Sequence, residues 1–118
     1  MAIVKTSDLI GPALDWAVAV AEGYTLYSNA GKICCAKDGD EGFLTKYSTD
    51  WSQGGPIIER EKIELTDNCS NPTENWYWAA HIWRTKTIGY GSTALIAAMR
   101  CYIASKLGDT VEVPEELL

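Results

Sequence analysis

Two long segments of the chain are apolar on almost every side, which predicts two buried helices. The first is predicted over residues 12–22, with proline at its first position and glycine after its last. The second is predicted to run to residue 107 from a cap at Ser92 or Thr93, and glycine again follows its end. Each segment carries only two charged residues, so both helices should lie in the core or in a subunit contact.

Shorter alternating or continuous apolar segments predict strands between and beside these helices. The predicted strands are 1–5, 24–28, 32–37, 43–47, 63–66, 76–87 and an alternating tail at 109–113. The segment 76–87 is rich in apolar residues on both faces, which is typical of a central strand. The chain is therefore predicted to form one α+β domain over residues 1–118. Its architecture would be an antiparallel sheet of about four to six strands packed with two apolar helices.

The segments between these elements predict turns and loops. The chain should turn at 29–31 within a hairpin, and Gly89-Tyr90-Gly91 should be a flexible turn. Residues 56–62 are predicted to form one or two helical turns. Residues 38–42 form an acidic loop that lacks the ligand spacing of a calcium site, and 67–75 form a polar loop.

Composition and charge exclude several classes of protein. Hydrophobic residues make up 47% of the chain, which is enough for a core, and the formal net charge is -6 with a pI of about 4.6. This acidic balance argues against a general nucleic-acid binder. The sequence contains neither a run of 18 apolar residues nor a signal-peptide pattern, so we expect a cytosolic protein that does not span a membrane.

The residues that could hold a metal or perform catalysis are few. The four cysteines, Cys34, Cys35, Cys69 and Cys101, fit no common zinc spacing around the single histidine, His81. They are expected to be reduced thiols. A histidine within an aromatic strand is more often a packed residue than a catalytic base. We therefore expect no metal, no cofactor and no enzymatic activity.

Residues 47–61 combine aromatic rings, short polar side chains and adjacent glycines, which is typical of a pocket for a small polar ligand. An indole can stack on a ring, glycine N–H groups can approach an anion closely, and a guanidinium can pair with an anion. The cap of the second helix offers similar N–H groups. The residues predicted to bind ligand are Tyr47, Asp50, Trp51, Gln53, Gly54, Gly55, Arg60, Ser92 and Thr93. The competing interpretation is that Trp51 fills the core and that the glycines and caps are ordinary turn residues.

Three sequence blocks, Thr49–Glu61, Leu95–Asp109 and Ala13–Ala19, resemble the NinX-like family of tailed-phage and prophage proteins. The resemblance implies a bacteriophage origin and an accessory, non-virion role in the cytoplasm of the host cell. It implies no catalytic residues. The segment 89–93 departs from the family, whose members tend to have Gly-Pro-Thr-Pro there, so the cap of the second helix need not be shared.

Two functions are consistent with these observations. The first is a phage accessory protein that binds a small, nucleotide-derived molecule without catalysis and sequesters a host defence signal. The alternative is an interaction module that docks on a host or phage protein through exposed aromatic residues. We also expect a homo-oligomer, because a core of this size would not easily cover two helices that are apolar on all sides.

Overall fold

The computed structural model describes residues 2–29, 32–37, 40–43, 46–68 and 77–118, and these ranges form an α+β fold, as predicted. The helices in them are α1 (Gly11–Ala21), α2 (Trp51–Glu61) and α3 (Ala94–Lys106). The strands are β1 (Ala2–Lys5), β2 (Thr25–Asn29), β3 (Lys32–Lys37), β4 (Asp40–Phe43), β5 (Glu64–Asn68), β6 (Tyr77–Ile82), β7 (Thr87–Gly91) and β8 (Thr110–Val113). The segments 6–8 and 115–117 are short 3-10 helices.

The described strands are all antiparallel, but they form three small sheets where the sequence predicted one. β1 pairs with β8, so the two ends of the chain close on each other with Ala2 opposite Val113. The orders of the other two sheets are β2-β3-β4 and β5-β6-β7. β4 begins inside the predicted acidic loop, and β5 extends two residues beyond its predicted end. Four predicted segments include residues outside the described ranges. They are the turn at 29–31, the strand at 43–47 and the loops at 38–42 and 67–75.

Helix α3 lies at the centre of the core, and its backbone lies unusually close to the backbone of β7. A Cβ atom at Gly89 would lie 2.5 Å from the backbone N of Cys101 and 2.6 Å from the backbone O of Ala97. A Cβ atom at Gly91 would lie 2.6 Å from the backbone N of Ala97. The prediction of a flexible turn at Gly89-Tyr90-Gly91 is therefore wrong: these glycines belong to a strand on which a helix packs directly.

The predicted single strand over 76–87 is a hairpin. β6 ends at Ile82, residues 83–86 form a tight turn, and β7 returns along β6 with His81 opposite Ile88. The turn has no glycine to mark it in the sequence; Lys86 adopts the left-handed conformation instead, with φ 55°. Because apolar residues lie on both sides of this turn, the sequence pattern predicted one continuous strand. Trp76 lies outside the described residues.

Helix α2 begins five residues before the helical turns predicted at 56–62. Asp50 caps it, with its Oδ1 accepting the backbone N–H of Ser52 at 2.9 Å. Gly54 and Ile57 are buried against the core, whereas Pro56 lies on the exposed side. Capping and burial of one face thus stabilise a helix in a segment whose Gly-Gly-Pro sequence disfavours it.

The argument for a homo-oligomer from two uncovered apolar helices does not hold. The single chain buries nearly every residue from Leu95 to Ile103 of α3 and most of the interior of α1. α3 is covered by β6 and β7 together with α1 and α2. Oligomerisation stays a prediction, without support from the burial of these helices.

Candidate functional site

The N-termini of α2 and α3 lie side by side and border a surface groove of about 240 Å³. The chain before α2 and the first turn of α3 supply its walls. The described residues that line it are Ser48, Thr49, Trp51, Thr93, Ala94, Leu95 and Ile96. The fold thus brings together Trp51 and Thr93, two predicted ligand-binding residues that lie far apart in the sequence.

Trp51 is the first residue of α2 and its side chain is 55% exposed. The competing interpretation, in which this indole fills the core, is therefore wrong. The ring stands over its own helix, since a Cβ atom at Gly55 would lie 3.9 Å from its Cε3. Trp51 consequently presents an open aromatic surface at the edge of the groove.

The other wall is the first turn of α3, which Thr93 caps. Its Oγ1 accepts the N–H of Ile96 at 3.1 Å, and its backbone oxygen accepts the N–H of Ala97 at 3.0 Å. The first turn of a helix has no internal acceptors for its N–H groups. Those of Ala94 and Leu95 have no hydrogen-bond partner within the described part of the chain. Together with the helix dipole they form a partly positive patch in the groove.

Ser48 forms the floor of the groove and is held from below by α1. Its backbone N–H donates to Oδ1 of Asp15 at 2.8 Å, and both residues are buried. Burial raises the pKa of Asp15, while Ser48 and the Lys46 charge oppose the rise. The Ser48 hydroxyl is buried and has no hydrogen-bond partner among residues 2–29, 32–37, 40–43, 46–68 and 77–118. The Asp15 carboxylate nevertheless lies close enough to this hydroxyl for the hydroxyl to lower its pKa, so Ser48 and Asp15 form one buried polar pair.

Four of the predicted ligand-binding residues instead build helix α2. The N–H of Gly54 donates to the backbone oxygen of Asp50 at 2.9 Å, so the prediction that this amide meets an anion is wrong. Gly55 lies one residue further inside the helix. Asp50 is the cap, and the side-chain oxygen of Gln53 accepts the N–H of Lys46 at 2.7 Å. These residues position Trp51 without being placed to contact a ligand in the groove.

Arg60, Tyr47 and Ser92 are also not among the residues that line the groove. Arg60 donates two hydrogen bonds to Glu22, at 3.0 and 2.7 Å, and one to Glu61 at 2.9 Å. These bonds raise its pKa further above its ordinary value. Its guanidinium is thus engaged with carboxylates and is not a free fork for an anionic ligand. Tyr47 is only 6% exposed and its backbone oxygen faces Gly54, while Ser92 is exposed.

The sequence indicated N–H groups at the cap of α3 without assigning them to Ala94 and Leu95, and it did not include Ser48 in the ligand-binding set. Apolar residues at a helix start carry no signal in their side chains; only the cap at Thr93 indicates that free N–H groups follow it. The position of Ser48 depends on Asp15, which lies in another helix, and no local pattern predicts that contact.

The described ranges contain neither a cluster of metal-binding side chains nor a helix that could span a membrane. Within those ranges, no three His, Cys, Asp or Glu side chains lie close enough together to hold a metal ion. No helix in the described residues has the length and apolar character needed to cross a membrane.

The fold and the groove define a small α+β protein with a surface site lined by an indole, apolar side chains, hydroxyl-bearing residues and helix N–H groups. A family model described as "Bacteriophage P22, NinX" matches residues 5–106, and the chain belongs to this phage protein family. A crystal structure of a phage protein from Bacillus cereus ATCC 14579 is similar in fold, with a TM-score of 0.60 at 16% sequence identity. The similarity covers 84% of this chain and 90% of that chain. No curated protein matches the sequence significantly.

Proposed function

We propose that this phage protein binds a small, nucleotide-derived molecule in the groove between α2 and α3, does not convert it chemically, and thereby sequesters a host defence signal in the host cytoplasm. The observation that carries the proposal is the pairing, in one groove, of an exposed indole with unpartnered helix N–H groups. A nucleotide has the two matching parts, a planar base and an anionic phosphate.

The two walls of the groove fit these two parts by different interactions. Stacking of a base on an aromatic side chain contributes roughly 1–3 kcal/mol, and Trp51 offers the ring. An anion at a helix N-terminus gains typically about 0.3–1 kcal/mol, and up to about 2 kcal/mol where it is partly buried. Ala94 and Leu95 offer the N–H groups, and Ser48 is among the other residues that line the groove.

The charges around the groove also favour binding without turnover. None of the described lining residues has a side chain that could act as a general base or acid at neutral pH. Beside the lining, the carboxylate of Asp15 is buried and accepts the N–H of Ser48. The carboxylate of Asp50 accepts hydrogen bonds from Ser52, which lower its pKa and keep it ionised. An ionised cap favours the helix and supplies no proton to a bound molecule.

The test is titration calorimetry with a panel of mono-, di- and cyclic nucleotides, followed by recovery of the ligand after heat denaturation. A binding protein without catalytic activity should return the ligand intact. Trp51→Leu should weaken binding roughly tenfold or more because it removes the stacking surface. Its melting temperature should stay close to that of the wild type, since the ring is more than half exposed.

Ile10→Ala is the control, because Ile10 is an apolar residue of similar exposure, at 58%, and lies outside the groove lining. It should leave the affinity of the groove unchanged. Equal affinity in the wild type and Trp51→Leu, or the absence of binding by every member of the panel, would refute the proposal.

A specific observation also supports the alternative function, docking on another protein. Strand β7 and the turn before it expose three large side chains, with Trp83 at 63%, Tyr90 at 50% and Ile88 at 49% exposure. Exposed apolar patches of this kind are typical of interaction surfaces. In this case, chemical cross-linking in infected cells should yield a discrete adduct that Ile88→Asp removes and Trp51→Leu retains.

A further inference from the structure

The tight turn between β6 and β7 holds an aromatic platform that is separate from the groove. The rings of His81 and Trp83 are stacked, with centroids 5.0 Å apart and planes inclined by 8°. The indole N–H of Trp83 donates to Oε2 of Glu64 on β5 at 2.7 Å. The indole is therefore fixed by a ring on one side and by a hydrogen bond at its edge, yet it is 63% exposed. Such a preorganised ring loses little conformational freedom when it binds a ligand.

A cavity of about 340 Å³ adjoins this platform, at the lower end of the roughly 300–1,000 Å³ range of ligand pockets. Its described lining consists of His81, Ile82, Trp83, Lys86, Thr87 and Ile88. Lys86 is the one cationic side chain in that lining, and no carboxylate is among the lining residues that the structure describes. Nδ1 of His81 is buried without a hydrogen-bond partner in the described ranges.

The hairpin turn places Lys86 beside the cavity. Lys86 is the last residue of this turn and has φ 55°, a left-handed conformation that hairpin turns commonly require. Its side chain contributes an ammonium group to the lining of the cavity.

We propose that this cavity, the hairpin site, binds a planar aromatic molecule that carries one anionic substituent. The ring stacks on the open face of Trp83, and the anion pairs with Lys86. The apolar side chain of Ile88, which is 49% exposed, covers the edge of the bound ring. The proposal rests on residues of β6, β7 and their turn and does not depend on the groove between α2 and α3.

The test follows the indole N–H resonance of Trp83 by nuclear magnetic resonance in the Trp51→Leu protein, where the groove cannot contribute a stacking ring. The probes are AMP, adenosine, indole-3-acetate and inorganic phosphate. AMP should shift the resonance saturably and adenosine should do so more weakly, whereas phosphate should not shift it. Saturation by AMP alone would identify a nucleotide as the ligand class, and saturation by indole-3-acetate as well would extend the class to aromatic carboxylates.

Two variants test the roles of the ring and the charge. Trp83→Leu should weaken AMP binding at least about fivefold, as expected for lost stacking, measured by calorimetry in the same Trp51→Leu background. Lys86→Gly should weaken AMP binding about threefold, the size of an exposed charge pair, and leave adenosine binding unchanged. Because glycine favours positive φ, this second variant should fold at least as well as the wild type.

Lys62→Gly is the matched control for charge, since Lys62 has φ 54° at the C-terminal end of α2 and lies outside the hairpin site. It should bind AMP as tightly as the parent protein. The proposal is overturned if no probe moves the Trp83 resonance, if Trp83→Leu retains full affinity, or if Lys62→Gly and Lys86→Gly weaken AMP binding equally.

Discussion

Replacing Gly54 and Gly55 one at a time with alanine should change the stability of the protein in opposite directions. Both glycines lie inside helix α2, where alanine is favoured over glycine by about 0.8–1.0 kcal/mol. Their surroundings differ. A Cβ atom at Gly55 would meet only Cε3 of Trp51, at 3.9 Å, which is an ordinary contact. Gly55→Ala should therefore stabilise the protein by about 0.5–1 kcal/mol.

Gly54 faces the core. A Cβ atom there would lie 2.5 Å from the backbone oxygen of Tyr47 and 2.6 Å from Cδ2 of Leu95. The leucine side chain can rotate, but the carbonyl group cannot move without shifting the turn that precedes α2. Overpacking of this kind costs typically about 1–3 kcal/mol. With a cost at the upper end and a helix-propensity gain of about 1 kcal/mol, Gly54→Ala should lose about 2 kcal/mol.

The assay is equilibrium urea denaturation followed by far-ultraviolet circular dichroism. The free energy of unfolding is obtained by linear extrapolation, and the slope is checked for equality among the variants. A difference of about 2.5–3 kcal/mol between the two alanine variants is expected. A Gly54→Ala protein as stable as the wild type, or a Gly55→Ala protein less stable than it, would refute the packing described for α2.

Two further predictions concern the core and the charged cluster. Gly89→Ala should destabilise the protein by about 3 kcal/mol or more, since all three atoms close to the added Cβ, at 2.5, 2.6 and 2.8 Å, belong to the backbone of α3. If urea denaturation shows that this variant is as stable as the wild type, α3 does not pack on β7 as described. Arg60 lowers the pKa of Glu61 below its ordinary value, so the stability from this pair is present above that value and is lost as the pH falls through the lowered pKa. The free energy of unfolding should consequently fall less between pH 7 and pH 3 in Glu61→Gln than in the wild type, and equal slopes would contradict this assignment.

The candidate site was predictable in part. An exposed indole next to short polar residues and a capped helix start are local features, and the sequence indicated both Trp51 and Thr93. Which of the neighbouring residues face a ligand depends on the helical phase and the ends of α2. The sequence predicted that this helix starts at Pro56, so the amide of Gly54 was expected to be free for a ligand. In the structure α2 uses this amide for an internal hydrogen bond. Arg60 could be recognised as a cation, but its pairing with Glu22 joins residues 38 positions apart.

The sequence alone determined the α+β class, the helices α1 and α3 and the membership of a phage protein family, because apolar periodicity and family motifs are properties of the chain itself. The tertiary structure decided where α3 lies and what Gly89 and Gly91 do. Glycine pairs are read locally as turns, since glycine tolerates conformations that other residues avoid. Here they belong to a strand because the backbone of α3 occupies the space of their missing side chains. Close packing between distant segments assigns that role, and no local pattern contains it.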